Sequence, residues 1–147
     1  MFISLCDMEE IVEGVYLAPI SEAINIASKK NAPFKAILDV LETPTITHTV
    51  DLYGVKYIHN RILETRSKNL ELLELHIYAS KELLDNAVDI IDKNKPIVVC
   101  CAASIERSPL TVAYYISKKY NIDLKYAYQV VMAKLPMTQD RSHWIKE

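Results

Sequence analysis

The chain has 147 residues, 50% hydrophobic and 24% charged, with 17 basic and 19 acidic side chains for a formal charge of -2. That is the size of one domain around one core, so residues 1–147 are read as a single domain. The near-neutral balance gives no basic footprint for nucleic acid or an anionic membrane surface, and no stretch nears the ~20 apolar residues of a membrane span.

The opening MFISLCDMEE lacks the charge pattern and apolar run of a signal peptide. Cys6, Cys100 and Cys101 do not make a disulfide framework, so a reducing cytoplasm is the expected setting and thiol reactivity the more informative question. Gly14 and Gly54 are the only glycines, and any loop that cradles an anion has to be built without one.

In chain order, Gly14 to Leu17 reads as a turn and short strand. Ser21 is placed to cap a helix from Glu22 to about Lys29, stopped by Asn31-Ala32-Pro33. Phe34 to Leu41 is an apolar, buried strand, Val55 to His59 a second strand, and Asn60 to Lys68 a polar loop. Leu70, Leu73, Ile77, Leu84, Val88 and Ile91 recur at helical spacing, which predicts the longest helix from about Asn69. Pro96 to Cys100 is short and apolar, as a central strand should be. A helix is expected from Ser108-Pro109 to about Tyr120, another from the Asp123 cap to Lys134, and a short one after Pro136 ending in Trp144. Strands interleaved with helices point to an α/β fold: a central mixed, mainly parallel sheet flanked by helices.

The segment Cys100-Cys101-Ala102-Ala103-Ser104-Ile105-Glu106-Arg107-Ser108 joins the apolar strand to the following helix. Backbone N–H groups of such a loop, together with the helix N-terminus, form an anion site. The same field favours a thiolate, and thiol pKa values fall to ~3.5–7.5 in such places. Arg107 can offer a planar fork to two phosphate oxygens. A nucleophilic sulfur and a guanidinium facing one tetrahedral anion are the parts of a phosphoryl-transfer site. His48, His59, His76 and His143 have no metal-ligand spacing, so no metal or other cofactor is expected.

Cys101-Ala-Ala-Ser-Ile-Glu-Arg107-Ser108 resembles the cysteine-x5-arginine-serine loop of the protein tyrosine phosphatases, and its flanks resemble the small dual-specificity branch. Glu13 to Leu17 is similar to the opening strand of that branch and Ala36 to Val40 to the next. Tyr57-Ile58-His59 is similar to the strand before the general-acid loop. Ser108 to Tyr115 resembles the helix after the phosphate loop, and Ala127 to Pro136 the segment that ends in a proline turn. The resemblance implies a protein tyrosine phosphatase-like fold and a set of roles. Cys101 is the nucleophile and becomes a phosphocysteine; Arg107 binds the phosphoryl oxygens. Ser108 stabilises the thiolate. The backbone amides of Ala102, Ala103, Ser104, Ile105, Glu106 and Arg107 hold the equatorial oxygens. Counting on from Tyr57, the general acid falls at Glu64, with Asp51 as the alternative.

The sequence departs from the family pattern at four of these positions. Cys100 stands where the family has histidine, Ser104 where it has glycine, and Glu64 where it has aspartate; Glu106 adds a carboxylate to the loop, read as an outward rim charge. The expected function is hydrolysis of phosphate monoesters on protein tyrosine, with serine and threonine as further substrates. The expected partners are phosphorylated proteins or peptides, not nucleic acid or membranes. The alternatives are a phosphate-binding pseudophosphatase module with little turnover and, more remotely, a thiol redox protein using Cys100 and Cys101. Adjacent strand cysteines point to opposite faces and bridge only through a strained ring, which weighs against the last.

Overall fold

The computed structural model describes residues 8–48, 51–69 and 74–146. The described chain runs through β1 (Glu9–Val12), β2 (Val15–Pro19), α1 (Ile20–Ala27), β3 (Ala36–Asp39), β4 (Lys56–His59), β5 (Leu63–Asn69) and β6 (Glu74–Ser80). It continues through α2 (Lys81–Lys93), β7 (Ile97–Cys101), α3 (Arg107–Tyr120), α4 (Leu124–Lys134), a 3-10 turn (Ser142–Trp144) and β8 (Ile145–Lys146). Five strands form one sheet in the order β1-β2-β7-β3-β4. β1 is antiparallel to β2, and the other neighbours are parallel. Gly14 makes the tight return between β1 and β2 at φ +79°, a conformation that suits a residue without a Cβ.

β7 is the middle of this sheet, and all five of its residues are buried. Its side chains alternate between two cores, as strand geometry requires. Ile97, Val99 and Cys101 join the core with Leu84, Ala87 and Ile91 of α2, Leu110, Ala113 and Tyr115 of α3, and Tyr128 and Val131 of α4. Val98 and Cys100 enter the opposite core with Ile20, Ala23 and Ala27 of α1, plus Phe34 and Leu52. One α/β layer arrangement thus covers both faces of a mainly parallel sheet, as the apolar run of β7 demands.

Several local expectations give way to the fold. α1 begins at Ile20 after Pro19, without a side-chain cap, not at Glu22 after Ser21. The largest correction lies between Asn60 and Ser80. Leu63–Asn69 is a strand instead of a polar loop, paired antiparallel with Glu74–Ser80, and β8 extends this second sheet. The helix therefore starts at Lys81, where the Ser80 hydroxyl accepts from the Leu83 N–H at 3.3 Å, and α3 is the longest helix instead. Leu70 and Leu73 lie outside the described residues, whereas Ile77 sits on β6 and is 49% exposed. Seven-residue spacing across a strand and a helix mimicked one continuous helical stripe; cross-strand pairing decided otherwise, and no local periodicity reports it.

Candidate active site

β7 ends at Cys101 and α3 begins at Arg107, so the loop 102–106 bridges a strand C-terminus and a helix N-terminus at the centre of the sheet. Ser108 lies in the first turn of α3, where its backbone N–H needs no intrahelical partner. Its hydroxyl does not cap the helix. It instead lies 3.2 Å from Cys101 Sγ, with both residues buried. Cys101, Ala102, Ala103, Ile105, Glu106, Arg107 and Gln139 line a cavity of about 280 Å³. The sulfur and the guanidinium-bearing side chain expected from the sequence are thereby brought to one pocket.

Ser104 takes φ +60°, the left-handed region. A Cβ in that conformation costs about 1–2 kcal/mol, which is why glycine suits such a turn. Its hydroxyl points away from solvent to 3.4 Å from Ser108 Oγ. Ser104 does not line that pocket but a neighbouring groove of about 420 Å³, with Pro19, Leu135 and Met137.

Arg107 is held from a distant part of the chain. Its Nη1 donates to both carboxylate oxygens of Glu42, at 2.7 and 3.1 Å. The loop carrying Glu42 is tied down on both sides. Asp39, fully buried, accepts from the Leu41 N–H at 3.0 Å, from the Thr45 N–H at 3.0 Å and from the Tyr57 hydroxyl at 2.6 Å. His59 Nε2 lies 2.6 Å from the Leu41 carbonyl oxygen. Burial first, then the bond to Asp39, pushes the Tyr57 phenol up to about 12. Glu42 is absent from the sequence reading; a glutamate in a polar loop carries no local signal that it will meet an arginine on another element.

Glu106 lines the pocket but its carboxylate is occupied. Arg141 donates to it from Nε at 2.9 Å and from Nη2 at 2.7 Å. Arg141 also lies 5.2 Å over the Trp144 ring and donates to Gln139. The Gln139 N–H donates in turn to the Ile105 carbonyl, clamping the C-terminal segment to the loop. Glu106, expected as an outward rim charge, lines the pocket instead, and its pairing with Arg141 offsets the repulsion an unpaired carboxylate would exert on a dianion.

Glu64 sits on β5, where it accepts from Arg61 Nη2 at 3.0 Å and from the Tyr78 hydroxyl at 2.8 Å, outside the residues that line the pocket. Asp51 also lies outside that lining; it is exposed and accepts from the Tyr53 N–H at 2.9 Å. Cys100 points into the α1 side of the sheet. Burial, and to a lesser degree the neighbouring Cys101 and Asp39, pushes its thiol well above the ordinary value. It is a neutral, packed side chain on the face opposite Cys101.

A mainly parallel sheet whose central strand delivers a buried cysteine into an arginine-ended loop defines a cysteine-dependent phosphatase fold. Residues 15–147 match the family model described as dual specificity phosphatase, catalytic domain, and the chain belongs to that family. It is similar to dual specificity protein phosphatase 1 of Arabidopsis thaliana, at 27% identity over 141 residues covering 93% of this chain and 65% of that protein. The crystal structure of DUSP15 matches with a TM-score of 0.69 at 15% identity, over 93% of this chain and 81% of that one. A mouse dual specificity phosphatase crystallised with zinc tungstate matches with a TM-score of 0.67 at 12% identity, over 98% and 85%. The chain spans less than two thirds of the length of the curated relatives it matches. Among the described residues, no helix is long and apolar enough to cross a membrane.

Proposed function

We propose that the chain hydrolyses phosphate monoesters on protein tyrosine, and also on serine and threonine, through a phosphocysteine intermediate. Membership of the dual specificity family supports the reaction class. The observation that carries the reading is the placement of Cys101 Sγ 3.2 Å from the Ser108 hydroxyl in a pocket that Arg107 also lines. In the first step the Cys101 sulfur attacks phosphorus, the S–P bond forms and the ester P–O bond breaks. The backbone amides of residues 102–107 and the Arg107 guanidinium take up the charge on the equatorial oxygens. Glu64 is assigned as the acid that gives its proton to the leaving oxygen. In the second step water attacks phosphorus, the Glu64 carboxylate accepts its proton, and the S–P bond breaks to return the thiolate and inorganic phosphate. Ser108 donates to the departing sulfur.

Arg61 and Tyr78 both donate to Glu64 in the structure, an arrangement suited to an ionised carboxylate. Its acid role therefore requires it to exchange these partners for the substrate oxygen. Free thiols at Cys100 and Cys101 fit a reducing compartment, and the cytoplasm is the proposed one.

The deciding experiment is turnover of p-nitrophenyl phosphate by purified protein. Wild type is expected to release nitrophenol and phosphate, and Cys101→Ser to be inactive while still binding inorganic phosphate or vanadate. Binding without turnover by the wild type would overturn the reading in favour of a phosphate-binding module.

A further inference from the structure

Three side chains form a connected series between the loop and the first turn of α3: Ser104 Oγ, 3.4 Å from Ser108 Oγ, which is 3.2 Å from Cys101 Sγ. They are 8%, 0% and 3% exposed, so water has little access to the series. We infer that Ser104 is a positioning residue whose hydroxyl orients the Ser108 hydroxyl onto the Cys101 sulfur. The inference deepens the phosphatase reading and rests on it for the use of Cys101 as nucleophile.

Proton counting gives the chain its direction. A thiolate is an acceptor only, and each serine hydroxyl has one proton and two lone pairs. When Cys101 is ionised, the single Ser108 proton is directed to sulfur. Ser108 Oγ is then left as an acceptor, and the Ser104 O–H is the donor within reach. Among the described residues, Ser108 is the one hydrogen-bond partner the structure gives the Ser104 hydroxyl. Reversing the chain would leave the thiolate without its donor.

The Ser104 hydroxyl bonds Ser108, and Ser104 lines the neighbouring groove, not the pocket with Cys101 and Arg107. Its side chain therefore acts through Ser108, while its backbone amide belongs to the loop proposed to bind phosphate. A residue with a Cβ in the left-handed region is a steric liability, and the hydroxyl offers a compensating interaction that glycine at the same point lacks. Hydrogen bonds in such a chain polarise one another, by about 10–30% per bond. The expected consequence is modest and measurable: an about two- to fourfold change in thiolate reactivity.

The test is the rate of alkylation of Cys101 by iodoacetamide as a function of pH, assigned to Cys101 by mass spectrometry, in wild type, Ser104→Ala, Ser104→Gly, Ser108→Ala and the Ser104→Ala/Ser108→Ala double variant. Folding of each is checked by thermal unfolding. Ser104→Ala and Ser104→Gly are both expected to slow alkylation about two- to fourfold near pH 6 and to move its pH midpoint upward. In the Ser108→Ala background, Ser104→Ala is expected to add nothing, because the path runs through Ser108. Equal slowing by Ser104→Ala with and without Ser108 would overturn the inference. So would a glycine variant more reactive than wild type, which would show that backbone relief outweighs the hydroxyl. The readout needs no turnover, so an inactive wild type would defeat the phosphatase reading while the hydroxyl chain is still judged by the alkylation rates.

Discussion

Glu42 and Arg107 are 65 residues apart in sequence, yet the Arg107 Nη1 donates to both oxygens of the Glu42 carboxylate, at 2.7 and 3.1 Å. Both contacts use one nitrogen; in the proposed reaction the Nε and Nη2 edge of the guanidinium would take two phosphate oxygens. Glu42 is not among the pocket-lining residues, and the proposal gives it the part of holding the guanidinium in place.

The first prediction follows from that geometry. Glu42→Gln keeps an acceptor but loses the charge, and Glu42→Ala loses both. A displaced catalytic group costs up to ~10²-fold, so kcat/KM for an aryl phosphate is expected to fall about tenfold in Glu42→Ala and less in Glu42→Gln. Thermal stability should barely change, because exposed ion pairs contribute about 0–1 kcal/mol. Faster turnover in either variant would show that the carboxylate competes with phosphate for Arg107.

Cys100 and Cys101 separate in a second experiment. Cys100 is fully buried on the α1 side, and burial raises its thiol well above the ordinary value, so it stays neutral at physiological pH. Cys100→Ser is expected to keep substantial turnover, and mild peroxide to inactivate the wild type reversibly through Cys101. Comparable loss in Cys100→Ser and Cys101→Ser would mean that both thiols take part.

Glu64 is tested by leaving group. A basic alkoxide or phenolate needs a proton as it departs, and a stabilised nitrophenolate needs little help. Removing a general acid typically costs ~10²–10⁴-fold for the demanding case. Glu64→Gln is expected to slow hydrolysis of a phosphotyrosine peptide far more than that of nitrophenyl phosphate, and to erase the alkaline fall of the kcat profile. If both substrates lose less than about twofold, the carboxylate stays with Arg61 and Tyr78 during the reaction and the acid passes to Asp51 or to none.

Tyr57 gives a prediction in pH. Its phenol is raised to about 12 in the fold, against about 10 in an unfolded chain. A raised value means the folded state favours the protonated form. The stabilisation is therefore complete below about pH 10 and lost as pH climbs through about 12. Tyr57→Phe removes the bond to Asp39, at a cost of about 0.5–1.5 kcal/mol at neutral pH, and leaves less alkaline loss between those limits. Denaturant midpoints at pH 7, 10 and 11 check this; an alkaline loss as steep in Tyr57→Phe as in wild type would assign it to Tyr115 and Tyr128, whose phenols are raised as well.

By itself, the sequence determined the centre of this molecule. The apolar run from Pro96 to Cys100 reads as a central strand, because a strand buried on both faces needs no polar alternation, and the structure places Ile97–Cys101 there. The cysteine-to-arginine loop behind it placed Cys101, Arg107 and Ser108 together, because they are local to one strand-loop-helix turn. Departures from the family pattern were legible as residues: a serine where a glycine is usual, a cysteine where a histidine is usual.

Only the tertiary structure decided what those residues meet. Ser104 is left-handed and bonded to Ser108, Glu106 is paired with Arg141, and Arg107 is fixed by Glu42 across 65 residues. The strand pairing of Leu63–Asn69 with Glu74–Ser80 overrode a helical spacing that looked continuous into α2. The physical reason is common to all of these. Periodicity and turn chemistry report interactions between near neighbours in the chain. Ion pairs and strand ladders join segments that only the folded sheet brings within a few ångströms.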